Sequence, residues 1–244
     1  MHKKIIAMIP ARYEASRFPG KLLKILEGKS IIARTYEAVV DSKLFDEVYV
    51  VTDHVSIQLE IESIGGNVIM SKKLHESGTD RIAEAVEHLP CDIVVNVQGD
   101  EPFISSEALQ KVIDLFINDE VQIASLMMPI SDKEKILNPN CVKVVVDKQH
   151  KALYFSRSPI PFQREKTEHV QYFQHIGIYG FKKETLLHIT KLPQSPLEKI
   201  EKLENLRMLE NGLEIFLDTV QQVGIAIDTP EDFIKATLYL QKKI

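Results

Sequence analysis

With 244 residues, 44% of them apolar and 27% charged, the chain has the length and composition of one large globular domain with a full core. Its 30 Lys and Arg against 35 Asp and Glu give a net charge of −5, which argues against a broad nucleic-acid or anionic-membrane surface. A small anionic ligand held by local cations stays open. The first apolar run is broken by Pro10 and Arg12, too early for a signal sequence, and no run approaches the roughly 18 apolar residues of a membrane span. Cys91 and Cys141 show no zinc-site spacing with histidine, so buried thiols in a reducing cytoplasm are expected.

Ile5–Ile9 reads as a first strand. Ser30–Val40 has helical spacing with Ser30 as N-cap, and Glu47–Thr52 is a β-rich run closed by Asp53. Val55–Ile64 is helical and stopped by Gly65-Gly66, Asn67–Met70 is a short strand, and Asp80–Leu89 is a helix. Asp92–Val97 is a buried strand and Ser105–Ile117 a helix. This alternation, with nearly continuous apolar strands, predicts an α/β fold with a mostly parallel sheet and helices on both faces. Beyond about Gln122 the rhythm loosens. Gln122–Met128, Val142–Val146, Ala152–Phe155 and Gln174–Phe181 read as strands, with the polar stretch Pro161–Gln171 as a loop. Pro196–Asn211 reads as one amphipathic helix with Leu197, Ile200, Leu203, Leu206 and Leu209 on its core face. Glu214–Leu217 and Val223–Ile227 read as strands, and Thr229-Pro230 opens the last helix.

Three segments that carry chemistry fall at strand ends, where open α/β sheets bind ligands. After the first strand a loop punctuated by Pro10, Pro19 and Gly20 carries Arg12, Arg17 and Lys21, a cation set suited to polyphosphate. An ordinary solvated basic loop is the alternative. The second segment is Asn96–Pro102 with Asp100, and the third is Asp228–Asp232. Asp100 and Asp228 at equivalent strand ends suit Mg²⁺, a hard cation usually shared with substrate phosphates. Asp228-Thr229-Pro230-Glu231-Asp232 reads equally as a helix start, with Thr229 as N-cap. No Walker A pattern is present and no G-x-G-x-x-G follows the first strand, which disfavours a P-loop ATPase or a dinucleotide dehydrogenase.

Nine motifs run in order along almost the whole chain: Ile9–Tyr13, Ser16–Lys21, Ser77–Arg81, Val97–Pro102, Ala152–Arg157, His175–Tyr179, Pro196–Glu198, Glu204–Arg207 and Asp228–Asp232. Together they resemble the 3-deoxy-manno-octulosonate (Kdo) cytidylyltransferase family of Gram-negative bacteria. The chain departs from the usual family pattern at Leu22, where proline is common, and at Ala15, Ser16 and Phe18. None of these removes a charge the chemistry needs.

The resemblance implies a Rossmann-like nucleotidyltransferase fold, a single domain over 1–244. It also implies a homodimer formed through an irregular excursion at about 129–180. The implied reaction is CTP + Kdo → CMP-Kdo + pyrophosphate, which activates Kdo for lipopolysaccharide synthesis. Lys21, Asp100 and Asp228 are the implied catalytic set, with Mg²⁺ on Asp100 and Asp228. The implied CTP ligands are Ala11, Arg12, Ser16, Arg17, Lys21, Ser77, Gly78, Thr79, Arg81 and Asp100. Those for the sugar are Gln98, Arg157, His175, Tyr179 and Glu204. Read alone, His175 and Tyr179 fit ordinary core positions and Glu204 a solvated helix face. No side chain stands out as a general base. The alternatives are another sugar nucleotidyltransferase, the same chemistry on 8-amino-8-deoxy-Kdo, and a non-catalytic nucleotide-sugar sensor.

Overall fold

The computed structural model describes residues 3–14, 18–75, 77–165 and 170–242. The chain divides into two compact units, residues 1–110 with 223–244 and residues 111–222.

The first unit opens with β1 (Ile5–Ala11), in which Ile6, Ala7, Met8, Ile9 and Ala11 are all fully buried. A strand apolar on both faces belongs inside a helix-covered parallel sheet. A single 3₁₀ turn (Lys21–Leu23) and a small hairpin of β2 (Ile25–Leu26) and β3 (Lys29–Ser30) follow. Ser30 then caps α1 (Ile31–Asp41), its hydroxyl accepting from the Ala33 amide at 3.2 Å. Next come β4 (Glu47–Thr52), α2 (Val55–Ser63), β5 (Asn67–Met70), α3 (Gly78–Val86) and β6 (Ile93–Asn96), and α4 (Ser106–Asp114) spans the division between the units at 110/111.

In this unit β1 pairs with β4 on one side and β6 on the other, and β4 pairs with β5, all parallel. The strand order β6-β1-β4-β5 reverses direction at β1. The loops leaving β1 and β6 therefore diverge and leave a crevice between their carboxyl ends.

The second unit contains β7 (Ile123–Ile130), α5 (Lys133–Leu137), β8 (Lys143–Val146), β9 (Ala152–Ser156), β10 (Tyr172–Lys182), α6 (Lys183–Ile189), α7 (Pro196–Glu201), α8 (Asn205–Glu210) and β11 (Ile215–Thr219). Its strand order is β11-β7-β10-β8-β9, parallel only between β11 and β7. The loosened rhythm of the sequence is thus antiparallel pairing. A register shift between Ile176 and Gly180 bulges β10 against β7. α9 (Pro230–Gln241) returns the chain to the first unit.

Several expectations are corrected. The helix expected over Pro196–Asn211 is two helices, α7 and α8, broken at Lys202 in the left-handed region (φ 54°). The buried ion pair of Glu198 with Arg207 takes the interior side, and Ile200 is 77% exposed. Val223–Ile227 joins no strand, although the Ile227 amide donates to the Asp100 carbonyl at 2.9 Å. α3 starts at Gly78 rather than Asp80, because Ser77 is its cap. The short helices α5 and α6 were not legible from periodicity. Both cysteines are outside any disulfide, and among the described residues no helix is long and apolar enough to cross a membrane.

Candidate active site

The loop after β1 turns through Gly20, whose φ of 64° favours glycine, and delivers Lys21 into the 3₁₀ turn. The Tyr13 carbonyl accepts from the Gly20 amide at 3.2 Å, which closes the loop on itself. Lys21 is only 9% exposed. Its ammonium lies 2.5 Å from Asp100 Oδ2 and 2.9 Å from Asp228 Oδ1. Three distant segments therefore meet at one cation, although the segment before Asp228 is not the strand expected from the sequence.

Of the two sequence readings of Asp228, the helix start is observed. Thr229 and Asp232 form a reciprocal capping box at the start of α9, so the cap needs no Asp228 carboxylate. That carboxylate faces Lys21. Next to it, burial raises the Glu101 carboxyl to about 8, with the charges of Asp100 and Asp228 adding and Lys21 opposing.

This concentration of negative charge around one positive centre fits a hard divalent ion. Among the described residues no three His, Cys, Asp or Glu side chains form a metal cage. An ion on Asp100 and Asp228 would take its other ligands from phosphate oxygens and water, as Mg²⁺ commonly does.

Two cavities flank Pro10 and Gln98. One, of about 380 Å³, is lined by Arg12, Lys21, Leu22, Gly99, Asp100, Glu101, Ala226 and Asp228. The other, of about 230 Å³, is lined by Ala11, Arg12, His75, Ser77, Gly78 and Arg81. Arg12 borders both, and its side chain is exposed. Ser16 and Arg17 lie outside the described residues.

In the smaller cavity Ser77 caps α3, accepting from the Asp80 amide at 3.1 Å and donating to Asp80 Oδ2 at 2.8 Å. A Cβ on Gly78 would stand 3.0 Å from Pro10 Cγ, so glycine lets the α3 N-terminus close onto β1. Thr79 is buried behind it. Arg81 is 5% exposed and donates from Nη2 to Asp53 Oδ2 at 2.8 Å, while its Nη1 is buried without a hydrogen-bond partner. Burial alone would raise the Asp53 carboxyl, but the Arg81 hydrogen bond and charge outweigh it and hold the group below the usual range.

Of the residues expected at the sugar, Gln98 is in the first unit, with Nε2 3.4 Å from Asn96 Oδ1. The others are in the second. His175 just before the β10 bulge and Tyr179 within it have ring centroids 5.3 Å apart. Ser125 on β7 lies 3.1 Å from His175 Nε2. Burial lowers the His175 imidazole to about 3, so it is neutral near pH 7. Burial also raises the Tyr179 phenol, with Asn205 and Ser125 hydrogen bonds opposing and the Glu204 charge adding. The structure thus groups His175, Tyr179 and Glu204. Arg157 is elsewhere occupied, donating to the carbonyls of Glu201 (2.7 Å), Pro139 (2.9 Å) and Lys202 (3.3 Å).

Sequence reasoning missed Asp53, His75 and Glu101 as parts of the site. Asp53 and Glu101 do follow strand ends, and His75 precedes Ser77-Gly78, so position relative to the strands was the available signal.

A reversal-point crevice holding buried lysine between two carboxylates, beside an arginine-lined pocket, defines a nucleotidyltransferase-type site. The sequence profile of the cytidylyltransferase family matches residues 6–215. The 3-deoxy-manno-octulosonate cytidylyltransferase of Flavobacterium johnsoniae is 56% identical, covering 98% of this chain and 99% of its own. That of Christiangramia forsetii is 54% identical over 96% and 95%. A solved CMP:2-keto-3-deoxy-manno-octonic acid synthetase complexed with CTP superposes with a TM-score of 0.94 at 36% identity, covering 99% of this chain and all of that one. The chain belongs to the 3-deoxy-manno-octulosonate cytidylyltransferase family.

Proposed function

We propose that this protein transfers the cytidylyl group of CTP to Kdo, releasing pyrophosphate and supplying activated Kdo for lipopolysaccharide synthesis. The relatives' names and the CTP-bound structure support the reaction class. The observation that carries the mechanism is Lys21 bridging Asp100 and Asp228 at 2.5 and 2.9 Å.

In this reading the anomeric 2-hydroxyl of Kdo attacks the α-phosphorus in line as pyrophosphate leaves. The chain's contribution is positioning and charge neutralisation. Arg12, Arg17 and Lys21, with Ser16 and the backbone of Ala11, hold the triphosphate. Lys21 neutralises charge as the pyrophosphate departs. Ser77, Gly78 and Thr79 approach cytosine through the backbone. A fixed carbonyl there accepts from cytosine's exocyclic amine and is left unpaired against the O4 of uracil. Arg81 adds a buried cation beside the base or the phosphates. Asp100 and Asp228 would hold Mg²⁺, which neutralises phosphate charge and lowers the pKa of a coordinated hydroxyl.

Gln98, His175, Tyr179 and Glu204 supply polar groups for the sugar hydroxyls; the resemblance also implies Arg157 as a cation for its carboxylate, a role that requires its guanidinium to leave the carbonyls of Glu201, Pro139 and Lys202. The neutral state of His175 favours hydrogen bonding over ion pairing as its role. A homodimer through about 129–180 is supported by Leu137, Leu153 and Phe162, apolar side chains exposed in that stretch. Work in the cytoplasm suits both soluble substrates.

The test is pyrophosphate release with CTP, Mg²⁺ and Kdo, with UTP and 8-amino-8-deoxy-Kdo run in parallel. Release with CTP and Kdo is expected. Faster turnover of the amino sugar would reassign the acceptor. CTP binding without release on either sugar would make the protein a sensor.

A further inference from the structure

We infer that the two residues after β4, Asp53 and His54, are positioning residues that fix both walls of the nucleotide pocket. The inference rests on the reading that CTP occupies the Arg12, Ser77 and Arg81 cavity.

Neither side chain is among that cavity's lining residues. Asp53 holds Arg81 Nη2 at 2.8 Å. A guanidinium is a planar fork, so fixing one nitrogen fixes the direction of the other. The other is Nη1, buried and unpartnered. An unsatisfied buried donor on a cation is costly, and at the edge of a ligand cavity an acceptor on the ligand would satisfy it. Asp53 offsets the charge of Arg81 while leaving one donor uncommitted. The hydrogen bond and charge of Arg81 keep Asp53 ionised, so the pair is ready before the nucleotide arrives.

His54 acts on the Arg12 side of the pocket. Its ring stacks on Tyr13 with centroids 4.0 Å apart and planes 10° from parallel. Tyr13 follows Arg12 and accepts from the Gly20 amide, one residue before Lys21. The stack therefore anchors the loop that carries Arg12 and Lys21. The turn itself is tied down. The His54 amide donates to Thr52 Oγ1 at 3.2 Å, and His54 Nδ1 accepts from the Ser56 amide at 3.2 Å. Thr52 ends the strand paired with β1, so the whole device hangs on the central sheet. A rigid strand end is a better base for ligand geometry than the two loops it braces.

The test measures CTP binding by calorimetry without sugar, alongside steady-state kinetics, for Asp53→Ala, Asp53→Asn, Arg81→Ala and the Asp53→Ala/Arg81→Ala double variant. Losing one charge-assisted hydrogen bond predicts CTP affinity weakened about ten- to a hundredfold in Asp53→Ala, with a smaller loss in Asp53→Asn. The double variant is expected to bind no worse than Arg81→Ala alone, because Asp53 acts through Arg81. For the other wall, His54→Ala is expected to raise KM for CTP, and His54→Phe, which keeps the stacked ring, to restore most of it. Unfolding midpoints are measured for every variant.

Additive losses in the double variant, unchanged CTP affinity in a folded Asp53→Ala, or equal defects in His54→Ala and His54→Phe would each overturn the inference. The CTP-pocket reading fails differently, by Arg81→Ala binding CTP as tightly as the parent protein. If Asp53→Ala does not fold, Asp53→Asn decides, since it keeps shape and one acceptor.

Discussion

The ammonium of Lys21 lies 2.5 Å from the carboxylate of Asp100, 79 positions away in sequence. Asp228 approaches the same nitrogen from near the C-terminus. Truncating Lys21 leaves two carboxylates facing each other beside buried Glu101. Lys21→Ala is therefore expected to lose about two or more orders of magnitude in kcat, the scale of removing one transition-state charge partner. It should also bind divalent cation more tightly in the absence of CTP, because the ammonium no longer competes for the same oxygens. Thermal shift with and without millimolar Mg²⁺ checks this. A smaller Mg²⁺-induced rise in Tm than in the parent protein would show that the lysine and the ion do not share a position.

The carboxylates give the complementary expectation. Asp100→Asn and Asp228→Asn should each lower kcat by about two or more orders of magnitude while leaving the fold intact. Asp228 sits outside the capping box of Thr229 and Asp232, so its substitution leaves α9 started correctly. Stripping the parent protein with chelator should abolish pyrophosphate release, and added Mg²⁺ should restore it. Near-normal turnover in both asparagine variants would remove the metal assignment.

A different pair carries stability. Glu198 and Arg207 are both buried and joined by two hydrogen bonds of 2.6 and 2.8 Å. Glu198 Oε2 also accepts from the Ser195 amide at 3.1 Å, and Arg207 donates to the Leu192 carbonyl at 3.2 Å. Removing one partner strands a buried charge, at a cost of about 3–5 kcal/mol. Arg207→Ala and Glu198→Ala should each lose stability on that scale by urea denaturation, with CTP affinity unchanged in whatever protein remains folded. A loss below about 1 kcal/mol would mean the pair is effectively hydrated.

This pair also marks where the sequence stops being legible. Periodicity over Pro196–Asn211 gives a leucine stripe and one helix, but it cannot register a charged pair taking the interior side. Nor can it register a left-handed Lys202 whose carbonyl accepts from Arg157. The parallel half of the fold was readable because β1, β4 and β6 are short apolar runs ending in polar loops. Strand-end position pointed to the loops that carry Lys21 and Asp100, whereas the segment before Asp228 is not a strand and only its approach to Lys21 places it there. Asp53 escaped because its partner, Arg81, is 28 positions on, and nothing local says that a strand-closing aspartate braces an arginine. The second unit was harder because its antiparallel order depends on long-range pairing and on a bulge at Gly177–Tyr179 that no residue pattern announces.

Just before that bulge, His175 predicts a pH dependence. Its imidazole is packed against Phe155 and Tyr179, with the Ser125 hydroxyl 3.1 Å from Nε2. Burial depresses its pKa to about 3, against about 6.5 in an unfolded chain. Between those values the unfolded state binds the proton and the folded state does not, so stability rises with pH there. The contribution is fully present above about pH 6.5 and is lost as pH falls toward 3, with a slope of at most about 1.4 kcal/mol per pH unit. A His175→Gln variant lacks this proton. Its urea-denaturation free energy should decline less steeply than that of the parent between about pH 6.5 and pH 4.5, with the two curves parallel above pH 7. Parallel curves throughout would mean that His175 takes up its proton in the folded state, and that a charged imidazole is available to the sugar site.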